Sequence, residues 1–299
     1  MSEPVVTASV PVVSLVRAGR VKVSHAMAVR RLTVSAARRV TPQIMRVTLT
    51  GSELAGFESI GPTDHVKAFF PDPATGEIAA PTLGPAGLQQ PERGTAYPRD
   101  YTPRAFRPHG SSGTGGTDQA PELDLDLVLH DDGGPASRWA AGAAVGDPLV
   151  VAGPRSSKLV PEGYDSFVLG CDETALPAVA RWLELLPDAA TVRVLAEVSG
   201  AADEEYLGSL APHVEVQWLR REGPPGTSGV LERAVRALGP FAPGTYVWAR
   251  GEAGSIVGVR RYLRREVGLP GTQVDVGGYW RRGSADFDHH APLDPTDPD

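Results

Sequence analysis

Short runs of alternating apolar and polar residues fill the first half of the chain, whereas the second half shows longer apolar runs separated by stretches of helical period. In the first half, residues 31–37, 44–49, 65–70, 99–106, 123–129 and 148–152 are short, rich in β-formers and divided by turn residues. This is the pattern of an antiparallel barrel or sandwich. Two loops interrupt it, residues 71–97, rich in Pro, Gly and Gln, and residues 107–121, dominated by Ser, Gly and Thr. Such composition predicts exposed, mobile connections.

In the second half, apolar strands are predicted at 166–170, 191–197, 214–219 and 245–249, and helices at 174–186, 203–210, 231–238 and 255–267. Strand and helix alternating in this way predict a parallel sheet flanked by helices, whose ligands bind beyond the carboxyl ends of the strands. The fold class is therefore an N-terminal antiparallel β-barrel followed by a C-terminal parallel-sheet α/β domain. The predicted organisation is a flexible arm at 1–24, the barrel at 25–157, the α/β domain at 158–283 and a disordered acidic, Pro-rich tail at 284–299.

With 299 residues and 41% hydrophobic content the chain can fill two cores. A net charge of −7 argues against broad nucleic-acid binding, although arginines cluster at Arg260, Arg261, Arg264 and Arg265 and again at Arg281 and Arg282. No apolar run is long enough for a membrane helix, and the first 16 residues, broken by Pro4 and Pro11 and lacking a basic start, do not read as a signal peptide. Cys171 is the single cysteine, which excludes an internal disulfide or a cysteine-ligated cluster within one chain and fits a reducing cytoplasm.

The densest candidate chemistry is the six-residue segment Arg99, Asp100, Tyr101, Thr102, Pro103, Arg104. Read as one extended strand, it places Arg99 and Tyr101 on one face and Thr102 and Arg104 on the other. A guanidinium fork suits a diphosphate, a phenol ring can lie against an isoalloxazine, and a threonine can bond a flavin nitrogen. The same residues would also serve an ordinary edge strand with solvated arginines. Downstream, His130 is followed by Gly133, Gly134, Pro135, Ala136 and Trp139, a strand running through a glycine turn into a helix start, which aims backbone N–H groups at an anion. Trp139 is open between a cofactor ring and the barrel core, and His130 between a strand-end hydrogen bond and a flavin contact.

Cys171, Asp172, Glu173 and Thr174 lie where the first parallel strand enters its helix; Asp172 or Thr174 can equally cap that helix. Trp248 to Glu252 ends a later strand at the same edge, with Arg250 and Glu252 facing either a ligand or the fold. Residues 277–283, which include Trp280 and Arg281, suit a nicotinamide or flavin edge and equally a clamped terminal segment. His65 and Lys67 share a strand face that either attracts an anionic acceptor or is solvated. Arg155 reads as a turn residue, and Arg220 and Arg221 either meet a 2′-phosphate or face water. His289 and His290, in the tail and without ordered carboxylate neighbours, make a poor metal site, and no metal centre is expected. No G-x-G-x-x-G is present in the α/β half, and no hydrolase constellation stands out.

Taken together in their order, the segments 64–67, 99–104, 130–139, 153–155, 172–177, 248–252 and 278–283 resemble the siderophore-interacting protein family, flavin-dependent ferric-siderophore reductases within the ferredoxin-NADP reductase superfamily. The resemblance implies FAD seated between a flavin barrel and a nicotinamide-binding domain. It implies that Arg99, Asp100, Tyr101 and Thr102 hold the flavin and its phosphates, that His130, Gly133, Gly134, Pro135, Ala136 and Trp139 hold the diphosphate end, and that Asp172, Glu173, Thr174 and Trp280 lie near the flavin or nicotinamide. Acceptor contacts are expected from His65, Lys67, Arg250, Glu252 and Arg281. Electrons would pass from NADPH or NADH through FAD to Fe(III) held by a siderophore, with no catalytic acid or base. A cytoplasmic monomer, with no nucleic-acid partner and no stable membrane association, is expected. The same fold could also serve a flavin or siderophore carrier without turnover, or a flavin reductase with another acceptor. One departure is Cys171, which stands where the family usually has glycine and so brings a side chain toward the nicotinamide.

Overall fold

The computed structural model describes residues 13–15, 20–85, 87–92, 96–109, 120–130, 133–284, 287–290 and 292–294. Strands β1 (Val13–Leu15) and β2 (Val21–Ser24) open the chain, followed by β3 (Val29–Thr41), β4 (Ile44–Thr50) and β5 (Val66–Phe70). A hairpin of β6 (Thr82–Gly84) and β7 (Gly87–Gln89) precedes β8 (Tyr97–Tyr101), β9 (Pro103–Arg107) and β10 (Glu122–Val128). Helix α1 (Pro135–Gly142) then leads to β11 (Pro148–Ala152) and β12 (Ser156–Lys158).

Seven of these strands form one antiparallel sheet in the order β8-β5-β11-β3-β4-β10-β9. Its edge strands β8 and β9 are joined through the single residue Thr102, so the sheet must curl until its edges meet, as a barrel does. Alternation explains the core: Leu123, Leu125 and Leu127 of β10 point inward with no exposure, against Val47, Leu49, Val66 and Ala68. Each such buried aliphatic contributes about 1.5–3 kcal/mol. Asp124 and Asp126, on the opposite face of β10, are buried as well, because Arg107, Arg46 and Tyr206 cover them.

Beyond β12 the pattern changes to β13 (Ser166–Cys171), α2 (Leu176–Leu185), β14 (Thr191–Val198), β15 (Val214–Arg220), α3 (Val230–Leu238), β16 (Thr245–Glu252), α4 (Ala253–Arg261) and β17 (Val274–Trp280). These strands form a parallel sheet in the order β15-β14-β13-β16-β17. The chain starts at the centre, winds one way to β15 and then the other way from β16, so the topological switch lies between β13 and β16. Burial on both faces explains why β13 and β16 read as unbroken apolar runs.

Several elements differ from the sequence expectation. Residues 99–106 are not one strand: β8 pairs with β5 and β9 with β10, and the chain turns at Thr102, so the predicted face-sharing across that residue does not hold. Pro103 cannot donate to a ladder, which suits it to the first position of β9. The helix expected at 203–210 is a 3-10 segment, Ala201–Leu207, and the one expected to reach residue 267 ends as α4 at Arg261 and continues as a π turn, Tyr262–Glu266. Strand β17 is not among the strands the sequence pattern predicts, because its Gly277–Gly278 pair weakens the β signal.

Both ends of the chain are tied in where they are described. Arg20, within the expected arm, has no exposure; it bonds the Lys158 and Leu159 carbonyls and Asp275, and lies 5.1 Å over the Trp182 ring. In the tail, expected to be disordered, Asp294 is buried against Arg261 at 2.5 Å and Leu293 packs on the α3–α4 core. Most of the loop at 107–121 lies outside the described residues. No described helix is long and apolar enough to cross a membrane.

Candidate functional site

Two clusters gather most of the predicted residues. The first forms where α1 packs on β8. Trp139 of α1 meets Phe70 of β5 edge to face at 5.3 Å, and Phe70 meets Tyr101 of β8 at 5.9 Å, so the three rings make one continuous apolar wall. Burial pushes the Tyr101 phenol well above its ordinary range and keeps it protonated. Arg99, two residues back on the same face, is half-buried and donates to the carbonyl of its neighbour Pro98 at 2.6 Å. No carboxylate of the described residues pairs with it.

Helix α1 begins at Pro135 behind Gly134 and has no side-chain cap. Its first turn therefore offers the N–H groups of Ala136 and Ser137 without partners inside the helix. Gly133 makes that approach possible: a Cβ there would lie 2.6 Å from the Ser137 side chain and 2.7 Å from the His130 carbonyl. The Ser137 hydroxyl accepts from the His130 N–H at 3.1 Å and so closes the turn from within. Residues 131–132 of this turn lie outside the described residues, and the His130 side chain is exposed. A groove of about 440 Å³ runs beside the turn, lined by Arg39, His130, Gly133, Ser137 and Arg138 among others.

The second cluster sits at the carboxyl edge of the parallel sheet. Asp172 follows β13 and accepts four hydrogen bonds, from the Thr174 N–H (2.9 Å), the Thr174 hydroxyl (2.5 Å), the Glu252 N–H (3.0 Å) and the Trp280 indole (2.8 Å). Glu252 caps α4 through the Ser255 N–H at 2.8 Å and accepts from the Arg282 N–H at 3.1 Å. These bonds stitch the ends of β13, β16 and β17 across the switch point. Burial raises the Asp172 carboxyl despite its donors, and burial together with the charge of Asp172 raises Glu173 to about 7, opposed by Arg221 at 2.5 Å.

Several candidates are thereby reassigned. Arg221 is held half-buried against Glu173, whereas Arg220, paired with Glu204 at 2.7 Å, stays exposed to solvent. Arg250 is bound to the Asp275 carboxylate and, at 2.8 Å, to its carbonyl, which spends its guanidinium on the fold rather than on an acceptor. Asp275 also holds Arg20, 255 residues away in sequence. Lys67 donates to Asp100 across the β5–β8 ladder at 2.9 Å. Arg281 is exposed and lies 5.2 Å over Phe287, and Arg155 is exposed. Cys171 has no exposure and faces the apolar core, so its thiol, raised by burial, does not crowd the sheet edge. His289, expected to lack a carboxylate neighbour, lies 3.3 Å from Asp100.

The two halves of the chain touch each other. Tyr279, next to Trp280 on β17, lies beside Thr102 at the β8–β9 corner, while Tyr206 from the α/β half bonds Asp126 of β10. Sequence reasoning missed Arg20, Asp275, Asp126 and Tyr206, whose partners are remote in sequence and carry no local pattern. An alternating strand with aspartates on its outer face, β10, was the one available signal that something basic covers it.

Comparison with known proteins follows the same division. Residues 33–158 match the model of the siderophore-interacting FAD-binding domain, and residues 164–283 that of the siderophore-interacting protein. The NADPH-dependent ferric-chelate reductase of Escherichia coli is 34% identical over 87% of this chain and 95% of its own length. The ferric vibriobactin reductase ViuB of Vibrio cholerae is 31% identical over 84% of this chain and 89% of its own. Among solved structures, a siderophore utilization protein from T. fusca superposes with a TM-score of 0.80 at 39% identity, covering 94% of this chain and all of that one.

Proposed function

The chain belongs to the siderophore-interacting protein family, and from that membership and the two clusters we propose that it is an FAD-dependent oxidoreductase that uses NADPH to reduce Fe(III) in a siderophore. The observation that carries this reading is helix α1, whose N-cap Gly134 gives no side-chain cap, packed on β8, the strand that carries Arg99, beside a ring wall. These residues fit FAD: first-turn N–H groups without partners inside the helix, and a guanidinium that no described carboxylate pairs with, suit a diphosphate, and Gly133 lets the turn close tightly on Ser137 and the His130 carbonyl.

Bound FAD supplies the redox chemistry, accepting two electrons from NADPH and releasing them singly to iron. In this assignment Arg99 and the Ala136 and Ser137 N–H groups hold the diphosphate, and Tyr101 and Trp139 exclude water along the ring wall. Thr102, at the corner, fixes the barrel edge against β17. On the other side Asp172 does not itself bind coenzyme; it orients Trp280 and the Glu252 backbone, which shape the crevice that the nicotinamide enters. Glu173 and Arg221 form the crevice wall beyond it. A ferric siderophore is the acceptor, and a cytoplasmic location is supported by the lone cysteine.

Purified protein supplied with FAD should be yellow, bleach on anaerobic addition of NADPH and recover its colour with a ferric siderophore. A colourless protein that does not take up FAD, or a yellow one that never bleaches, would overturn the proposal.

A further inference from the structure

The C-terminal tail returns to the barrel at one place that the proposed electron transfer does not use. His289 and His290 stand against His65, the residue preceding β5. The His65 and His289 rings meet edge to face at 5.0 Å, His65 and His290 lie 6.0 Å apart, and the two tail rings are 3.9 Å apart. One ring nitrogen from each of the three lies within 4.8 Å of the others. Asp100 sits behind this trio, 3.3 Å from Nδ1 of His289 and held in turn by Lys67 at 2.9 Å.

Three imidazoles converging from two remote segments form a ligand set suited to late first-row divalent ions. A carboxylate on the second nitrogen of one ring is the usual outer partner of a metal-bound histidine, fixing its tautomer and orientation. We infer that His65, His289 and His290 form a site for a divalent first-row transition ion, which clips the C-terminal tail to β5 and β8 on the strand face opposite Arg99 and Tyr101. Metal–imidazole bonds of about 2.0–2.1 Å would draw the three nitrogens to about 3.4 Å from one another. The exposed His290 can rotate to meet that requirement. The Asp100 carboxylate, 3.3 Å from His289, adds attraction for a cation from behind the trio.

The test uses the full chain with its flavin, dialysed against micromolar Co2+ and then against Zn2+, with bound metal counted by atomic emission. One ion per chain is expected. The double substitution His289→Ala/His290→Ala, confined to the tail and so harmless to either core, should weaken binding at least about a hundredfold, as should His65→Gln; Asp100→Asn should weaken it about tenfold. Metal should also slow proteolysis of the tail in the native chain and not in the double variant. Absence of a stoichiometric ion, equal binding by the double variant, or tail cleavage indifferent to metal would each overturn the inference. None of these readouts requires turnover, so they stand apart from the choice of acceptor.

Discussion

The two clusters treat their polar groups in opposite ways. At the start of α1 the donors are left over among the described residues: Arg99 meets its neighbour's carbonyl and no carboxylate, and the N-cap Gly134 gives the helix no side-chain cap. At the carboxyl edge of the parallel sheet nearly everything is spent, with Asp172 taking four donors and Glu173, Glu252 and Arg250 each committed to a neighbour. Uncommitted donors mark the place where a ligand must complete the structure, and satisfied ones mark a scaffold that shapes the site from behind.

The largest effect that would break this contrast is at Asp172. Asp172→Ala leaves four donors from three elements facing a hole, and at about 1 kcal/mol or more for each it should cost about 4 kcal/mol of stability. A clear drop in denaturation midpoint is expected whether or not FAD is present. If the variant is as stable as the parent and loses only coenzyme affinity, Asp172 is a ligand contact and the contrast fails.

Next is the pH dependence of Glu173. Its carboxyl is raised from 4.5 to about 7, chiefly by burial, so the folded chain holds a proton that the unfolded chain releases. The stability this confers is complete below about pH 4.5 and is lost as pH rises through about 7, amounting to about 3 kcal/mol by pH 8. Glu173→Gln should flatten that part of the stability profile in urea titrations. A parent profile level between pH 5 and 8 would show that Arg221 keeps Glu173 charged throughout.

How much of this was legible in the sequence follows the same line. Period-2 and helical patterns located both sheets, because the apolar faces of β10 and β13 are local properties. The glycine turn before α1 was readable because a tight approach without a side chain has a residue signature. The commitments at the sheet edge were not readable: Arg250 and Arg20 converge on Asp275, and Asp172 meets Trp280, across separations that leave no spacing to recognise. The corner at Thr102 was hidden for a different reason. Extended residues on both sides of it look alike until their ladder partners, β5 and β10, are known.

The smallest effects sharpen the other side of the comparison, through two arginines that are equally conspicuous in the sequence. Arg99 is half-buried on β8, the strand that α1 packs on, whereas Arg155 is exposed after β11, where its backbone carbonyl, not its side chain, accepts from His25 at 3.1 Å. A charge-assisted bond to a phosphate is worth about 1.5–3 kcal/mol, so Arg99→Ala should weaken FAD retention between about tenfold and a hundredfold while leaving the melting curve of the FAD-free protein nearly unchanged. An exposed cation without a fixed partner contributes little, and Arg155→Ala should change retention by less than about twofold. Flavin loss on gel filtration, followed by fluorescence titration of the stripped protein, measures both. Equal retention by the two variants would mean that the α1 start holds the diphosphate alone, and that the free guanidinium on β8 has another ligand.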